Sequence, residues 1–180
     1  RFPFDKFSDA SNQLGTQMKA TGEGMAIGRT MEESLLKAMR SLETGVCHIY
    51  HKKFEDWTND RLLEYIAEPT DDRLYAIAQL IRGGVDLVLI YNRTKIDMFF
   101  LEKFKNIVEF ERVVEAAPMD IEVLREAKRM GFSDKFIGQL WGVSQHDMYL
   151  LREKNGIFPV YKMIDTCASE FSSYVPYVYW

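Results

Sequence analysis

The chain has 180 residues, 47% of them hydrophobic and 28% charged, with a formal net charge of −4 and a pI near 5.5. That size suits one globular domain, or one domain with an appendage, and the acidic balance argues against general affinity for nucleic acid or an anionic membrane. No apolar run approaches the roughly 18 residues that a membrane helix needs, and no signal or transit peptide pattern is visible.

The first 29 residues are dense in turn signals, with Gly15, Gly22, Gly24 and Gly28 among short apolar stretches. Interior glycines cost about 1 kcal/mol each against alanine, so no long helix is expected there. Gly24 to Ile27 reads as a short strand. Thr30 then reads as an N-cap with Glu33 as its capping-box partner, opening an amphipathic helix over 31–43. Residues 44–57 (TGVCHIYHKKFEDW) lose periodicity and read as a linker or domain boundary.

From Thr58 onward the pattern is successive helices. A short one covers 59–67 and stops before Pro69. Thr70 caps the next, which runs to Gly83 and Gly84. Residues 86–92 form a brief apolar helix. The longest helix, 97–116, carries a wide apolar stripe and ends before Pro118. Helices over 120–130, 133–141 and 144–154 follow, the last two capped by Ser133 and Ser144. Beyond Gly156 the sequence turns aromatic and β-branched, which reads as extended chain. The fold class is therefore mainly α, with short extended or β segments at both ends.

Several patterns invite chemistry and fail on inspection. In residues 22–30 (GEGMAIGRT), Gly22 and Gly28 enclose five residues rather than four, and Arg29 stands where a phosphate-loop lysine belongs. Cys47, His48 and His51 lie close together but lack a fourth zinc ligand, so a solvated linker carrying two histidines is expected. Cys47 and Cys167 read as reduced thiols. No carboxylate pair is fixed beside a base, a metal ligand or an oxyanion donor. Catalytic, cofactor-binding and metal-ligating residues are all expected to be absent.

The sharpest rival signal is the helix, tight turn and helix of residues 133–154. A helix-turn-helix nucleic-acid reader would use Ser144, Gln145, His146 and Tyr149. Asp134, Asp147 and Glu153 dilute its positive charge, and a packed helical hairpin gives the same signature.

Two blocks are more specific than any of these. Residues 14–30 read LGTQMKATGEGMAIGRT and residues 159–168 read PVYKMIDTCA. With residues 74–97 (LYAIAQLIRGGVDLVLIYNRTKID), 128–136 (KRMGFSDKF) and 170–171 (EF) between and behind them, they resemble the middle of the carbamoyl phosphate synthetase large chain. The family usually has a bulky apolar residue where this chain has Gly24.

The resemblance implies that residues 1–43 are the tail of the first, carboxyphosphate-forming ATP-grasp unit. It implies that residues 44–180 are the helical oligomerisation domain and the start of the linker to the second unit. The start at Arg1 and the end at Trp180 then read as cuts within a longer sequence. The ATP- and Mg2+-binding residues of the family would fall upstream of Arg1, so the fragment should bind no cofactor and be inactive alone. Its implied partners are further copies of itself, the glutaminase small subunit and the flanking synthetase units, in the cytoplasm, with no nucleic acid or membrane. The parent activity would make carbamoyl phosphate for arginine and pyrimidine synthesis.

Overall fold

The computed structural model describes residues 4, 6–7, 9–42 and 44–164, and the backbone of 178–179. Its order is α1 (Met31–Ser41), a 3-10 turn (Lys52–Phe54), α2 (Asn59–Tyr65), α3 (Arg73–Arg82), α4 (Leu87–Thr94), α5 (Met98–Ala116), α6 (Ile121–Arg129), α7 (Asp134–Trp141) and α8 (Gln145–Lys154). Two short strands follow, β1 (Lys162–Met163) and β2 (Val178–Tyr179). They pair antiparallel, Lys162 opposite Tyr179 and Met163 opposite Val178. The expected mainly α class is the observed one, and each expected helix is present.

Local chemistry explains most helix boundaries. The Thr30 hydroxyl accepts from the Glu33 amide at 3.2 Å, while the Glu33 carboxylate reaches back to the Arg29 amide at 2.7 Å, one residue before the cap. This is a capping box with its return arm shifted by one position. Ser133 and Ser144 cap α7 and α8 through the amides of Phe136 and Asp147. Asp86, Asp97 and Asp120 do the same for α4, α5 and α6.

At the other ends, α6 and α8 close with a glycine in the left-handed region, Gly131 at φ +90° and Gly156 at φ +65°. The following residue then donates back to the carbonyl five residues before it, Phe132 to Ala127 and Ile157 to Arg152, each at 2.9 Å. This closure drops an apolar side chain under the helix end, and Phe132 and Ile157 are both buried.

α5 is the axis of the fold. Leu101, Phe104, Ile107, Val108 and Val114 form its buried stripe, and α1, α3, α4, α6 and α7 all pack on it. α1 brings Leu36 and Met39 to this core. It also brings Glu32, which accepts from Asn106 of α5 at 2.9 Å. The indole of Trp141 donates to the Val114 carbonyl at 2.6 Å and satisfies the last turn of α5.

Three expectations change. Among the described residues, Gly24 to Ile27 pairs with no strand, and the extended N-terminal segment makes one bridge, Gln13 to Thr70, with the Leu14 amide donating to Pro69 at 2.7 Å. Thr70 does not cap α3. Its hydroxyl bonds Asp72 at 3.0 Å, where Lys53 and Tyr65 also converge, and the helix begins at Arg73. The stretch 47–51 is not solvated, because His48 and Ile49 lie in the core, as does Phe54 further along the 44–57 segment. Periodicity is lost there because the segment is irregular, yet it is held by tertiary packing. Cys167 and residues 170–171 lie outside the described residues.

Candidate self-association surface

The sequence places Met98, Phe99, Phe100, Leu101, Phe104 and Phe110 on the longest helix, and the structure divides them. Leu101 and Phe104 are core, and Met98 and Phe110 pack against it. Phe99 and Phe100 face solvent, 52% and 43% exposed, with their rings edge to face at 5.3 Å. The 3.6-residue period puts Phe99 off the face shared by 101, 104, 107/108 and 111; Phe100 falls on that face, four residues before Phe104, and is exposed in the first turn of the helix.

α4 adds to this. It joins α5 through residues 95–97 and packs on it with Ile90 buried, leaving Val88, Leu89 and Tyr91 exposed. Exposed single hydrophobics are ordinary, but five on two consecutive packed helices are an excess of apolar surface left to water. Lys103 lies 5.4 Å over the Phe99 ring and Lys95 5.4 Å over Tyr91, a basic rim beside the apolar centre.

Elsewhere the fold holds a buried polar cluster that sequence reasoning missed. His48 donates from Nε2 to Oε1 of Glu111 at 2.9 Å. Arg82 clamps the same carboxylate with two bonds, Nε to Oε2 at 2.8 Å and Nη2 to Oε1 at 2.6 Å, and also donates to the Ile49 carbonyl at 2.9 Å. The imidazole stacks on Phe136 at 3.7 Å and leans on Phe132 at 4.7 Å. Segment 47–51 is thereby tied to α3, α5 and α7. The readable signal was Glu111 itself, a carboxylate standing in the apolar stripe of α5, which requires a cation opposite it.

Electrostatics in this cluster follow burial and pairing. Burial alone would raise the Glu111 carboxyl, but Arg82 and His48 outweigh it and hold it below the ordinary 4.5. Burial pushes His48 below 6.5 despite the favourable Glu111 bond and charge, so the ring is neutral. Both groups therefore bind protons less readily folded than unfolded. Each contributes stability that is present above its unfolded value and lost as pH falls, His48 below about 6.5 and Glu111 below about 4.5. The urea midpoint is expected to be lower at pH 5 than at pH 7.5 and to drop again below pH 4. A midpoint that rises on acidification contradicts this assignment.

The other sequence motifs have structural roles. His51 accepts from the Lys53 amide at 3.1 Å and Cys47 packs against the core, so Cys47, His48 and His51 are committed to separate contacts. Among the described residues, no three His, Cys, Asp or Glu side chains are grouped to hold a metal. No described helix is long and apolar enough to cross a membrane.

In the α7–α8 pair, Gly138 sits where a Cβ would lie 2.6 Å from the Val143 carbonyl oxygen, and Met148 is fully buried. Arg152 is bound to Asp134 at 2.7 Å and Ser144 is used in its cap. Gln145, His146 and Tyr149 are exposed, but with Asp147 and Glu153 beside them they form no basic face. The geometry is that of a packed helical hairpin.

The fold defines a class: a helical domain packed around one long central helix. Residues 23–156 match the family of the carbamoyl-phosphate synthetase large chain, oligomerisation domain. The chain belongs to that family, and its role there is structural.

Proposed function

We propose that this chain is the self-associating and spacing element of a glutamine-dependent carbamoyl phosphate synthetase. Residues 1–43 are assigned as the tail of the first ATP-grasp unit, and 44–180 as the oligomerisation domain running into the linker. The family match spans that division, and α1 docks on α5 across it. The division therefore concerns which unit each segment serves, not a break in packing.

The parent enzyme would join bicarbonate and glutamine-derived ammonia using two ATP, for arginine and pyrimidine synthesis in the cytoplasm. The chain would hold two synthetase units apart, with the glutaminase subunit supplying ammonia to the assembly. The single observation that carries this reading is the exposed Phe99–Phe100 pair on α5, whose packed neighbour α4 also leaves Val88, Leu89 and Tyr91 exposed. A two-fold contact is the commonest way to bury such a face, each copy covering the same patch on the other. Sedimentation equilibrium at micromolar concentration is expected to give a mass above the 21.0 kDa of one chain. A strictly monomeric mass would remove self-association from the proposal.

A further inference from the structure

A second surface has the opposite character. A cleft of about 750 Å³ lies between α1, the turn from α6 to α7, and the segment following α8. None of its lining residues comes from α4 or α5. Eight basic and three acidic side chains line it, an excess of five positive charges in a chain whose net charge is −4. The rest of the molecule is therefore strongly acidic, and the basic residues are concentrated here.

The acidic residues of the cleft are already committed. Glu33 is paired with Lys37 at 2.7 Å and Glu126 with Arg129 at 3.3 Å. Asp134 serves two cations at once, Lys128 at 2.8 Å and Arg152 at 2.7 Å. Among the described residues, no carboxylate pairs with Arg29, Arg40 or Lys162. Arg40 donates only to the Gly131 carbonyl, at 2.5 Å.

Burial pushes the Arg40 guanidinium down, with Cys47 and Asp134 only partly opposing it. Burial also lowers Lys128; Asp134 opposes that, while Arg152 and Arg40 add to it. An anion brought into the cleft would relieve this crowding of cations. The remaining wall is apolar, formed by Met130, Ile157, Phe158, Pro159 and Val160, and Phe158 is 61% exposed.

We propose that this cleft binds a phosphate-bearing small molecule, with Arg29, Arg40 and Lys162 meeting the phosphates and Phe158 covering its flat apolar part. The volume falls in the roughly 300–1,000 Å³ range of small-molecule sites. A di- or triphosphate places several charges in one compact group, which suits three unneutralised cations better than a single carboxylate does. The phosphates are not held by a glycine loop, so the failed loop spacing of residues 22–30 does not bear on this site.

The test is isothermal titration of the 180-residue chain, in magnesium-free buffer, with ADP, with pyrophosphate, and with sulfate at matched ionic strength. ADP and pyrophosphate are expected to bind saturably at one site, and sulfate far more weakly. Arg29 and Lys162 are exposed, so Arg29→Gln with Lys162→Gln preserves the fold, and it is expected to weaken both ligands about tenfold or more. Phe158→Ala is expected to weaken ADP and leave pyrophosphate unchanged. No saturable binding of either ligand, an equal response to sulfate, or parental affinity in the double variant would each overturn the site. Unchanged ADP binding by Phe158→Ala would overturn the part assigned to the aromatic ring.

Discussion

Glu111→Ala is expected to lower the stability of the folded chain by about 3–5 kcal/mol, because it leaves the Arg82 guanidinium buried without its counter-charge. Arg82 would keep only the Ile49 carbonyl and His48 would lose its partner. Domains of this size are stable by roughly 5–15 kcal/mol, so much of the margin would go. Urea unfolding read by circular dichroism measures the change directly. The companion variant Arg82→Met with Glu111→Leu removes both charges and should recover only part of the loss, since it leaves no unpaired charge but still costs the Ile49 carbonyl and the His48 ring their partners. A single-variant loss below about 1 kcal/mol would mean the cluster is hydrated or open, contrary to its burial.

Phe99→Lys with Phe100→Lys is expected to act on assembly instead. Both side chains are solvent-exposed in the single chain, so its unfolding midpoint should move by no more than about 0.5 kcal/mol equivalent. At a two-fold contact the same substitutions would remove about 1.5–3 kcal/mol of apolar burial per phenylalanine and place like charges face to face. Self-association should weaken by at least about 100-fold, visible as a monomeric mass where the parent chain sediments as an oligomer. If the parent chain oligomerises and the double variant does so equally well, the contact lies elsewhere on the surface.

The helices were legible because their signals are local. Thr30, Ser133 and Ser144 sit next to the amides they cap, and a glycine followed by an apolar residue writes the α6 and α8 closures directly into the sequence. What was not legible depends on partners distant in the chain. Residues 44–57 have no period of their own, and nothing near His48 in sequence announces Phe136 or Glu111. Thr70 looked like a cap because Asp72 could not be seen collecting Lys53 and Tyr65 as well. For the surface, the sequence showed a wide apolar stripe on α5. It could not separate Phe99 and Phe100 from Phe104 and Leu101, which required the packing partners of each face.

The geometry of the His48–Glu111–Arg82 cluster also orders the events by which the chain reaches its native state. Neighbouring helices such as α2 with α3, or α7 with α8, meet across short connections and close at little entropic cost. The histidine and the glutamate are 63 positions apart, and the arginine is 29 from the glutamate. Their convergence therefore waits until several helices are already in place. Any compact arrangement that buries α5 in another register strands a carboxylate in apolar surroundings and is disfavoured. The cluster acts as a late checkpoint on topology, admitting the arrangement in which segment 47–51, α3, α5 and α7 all meet.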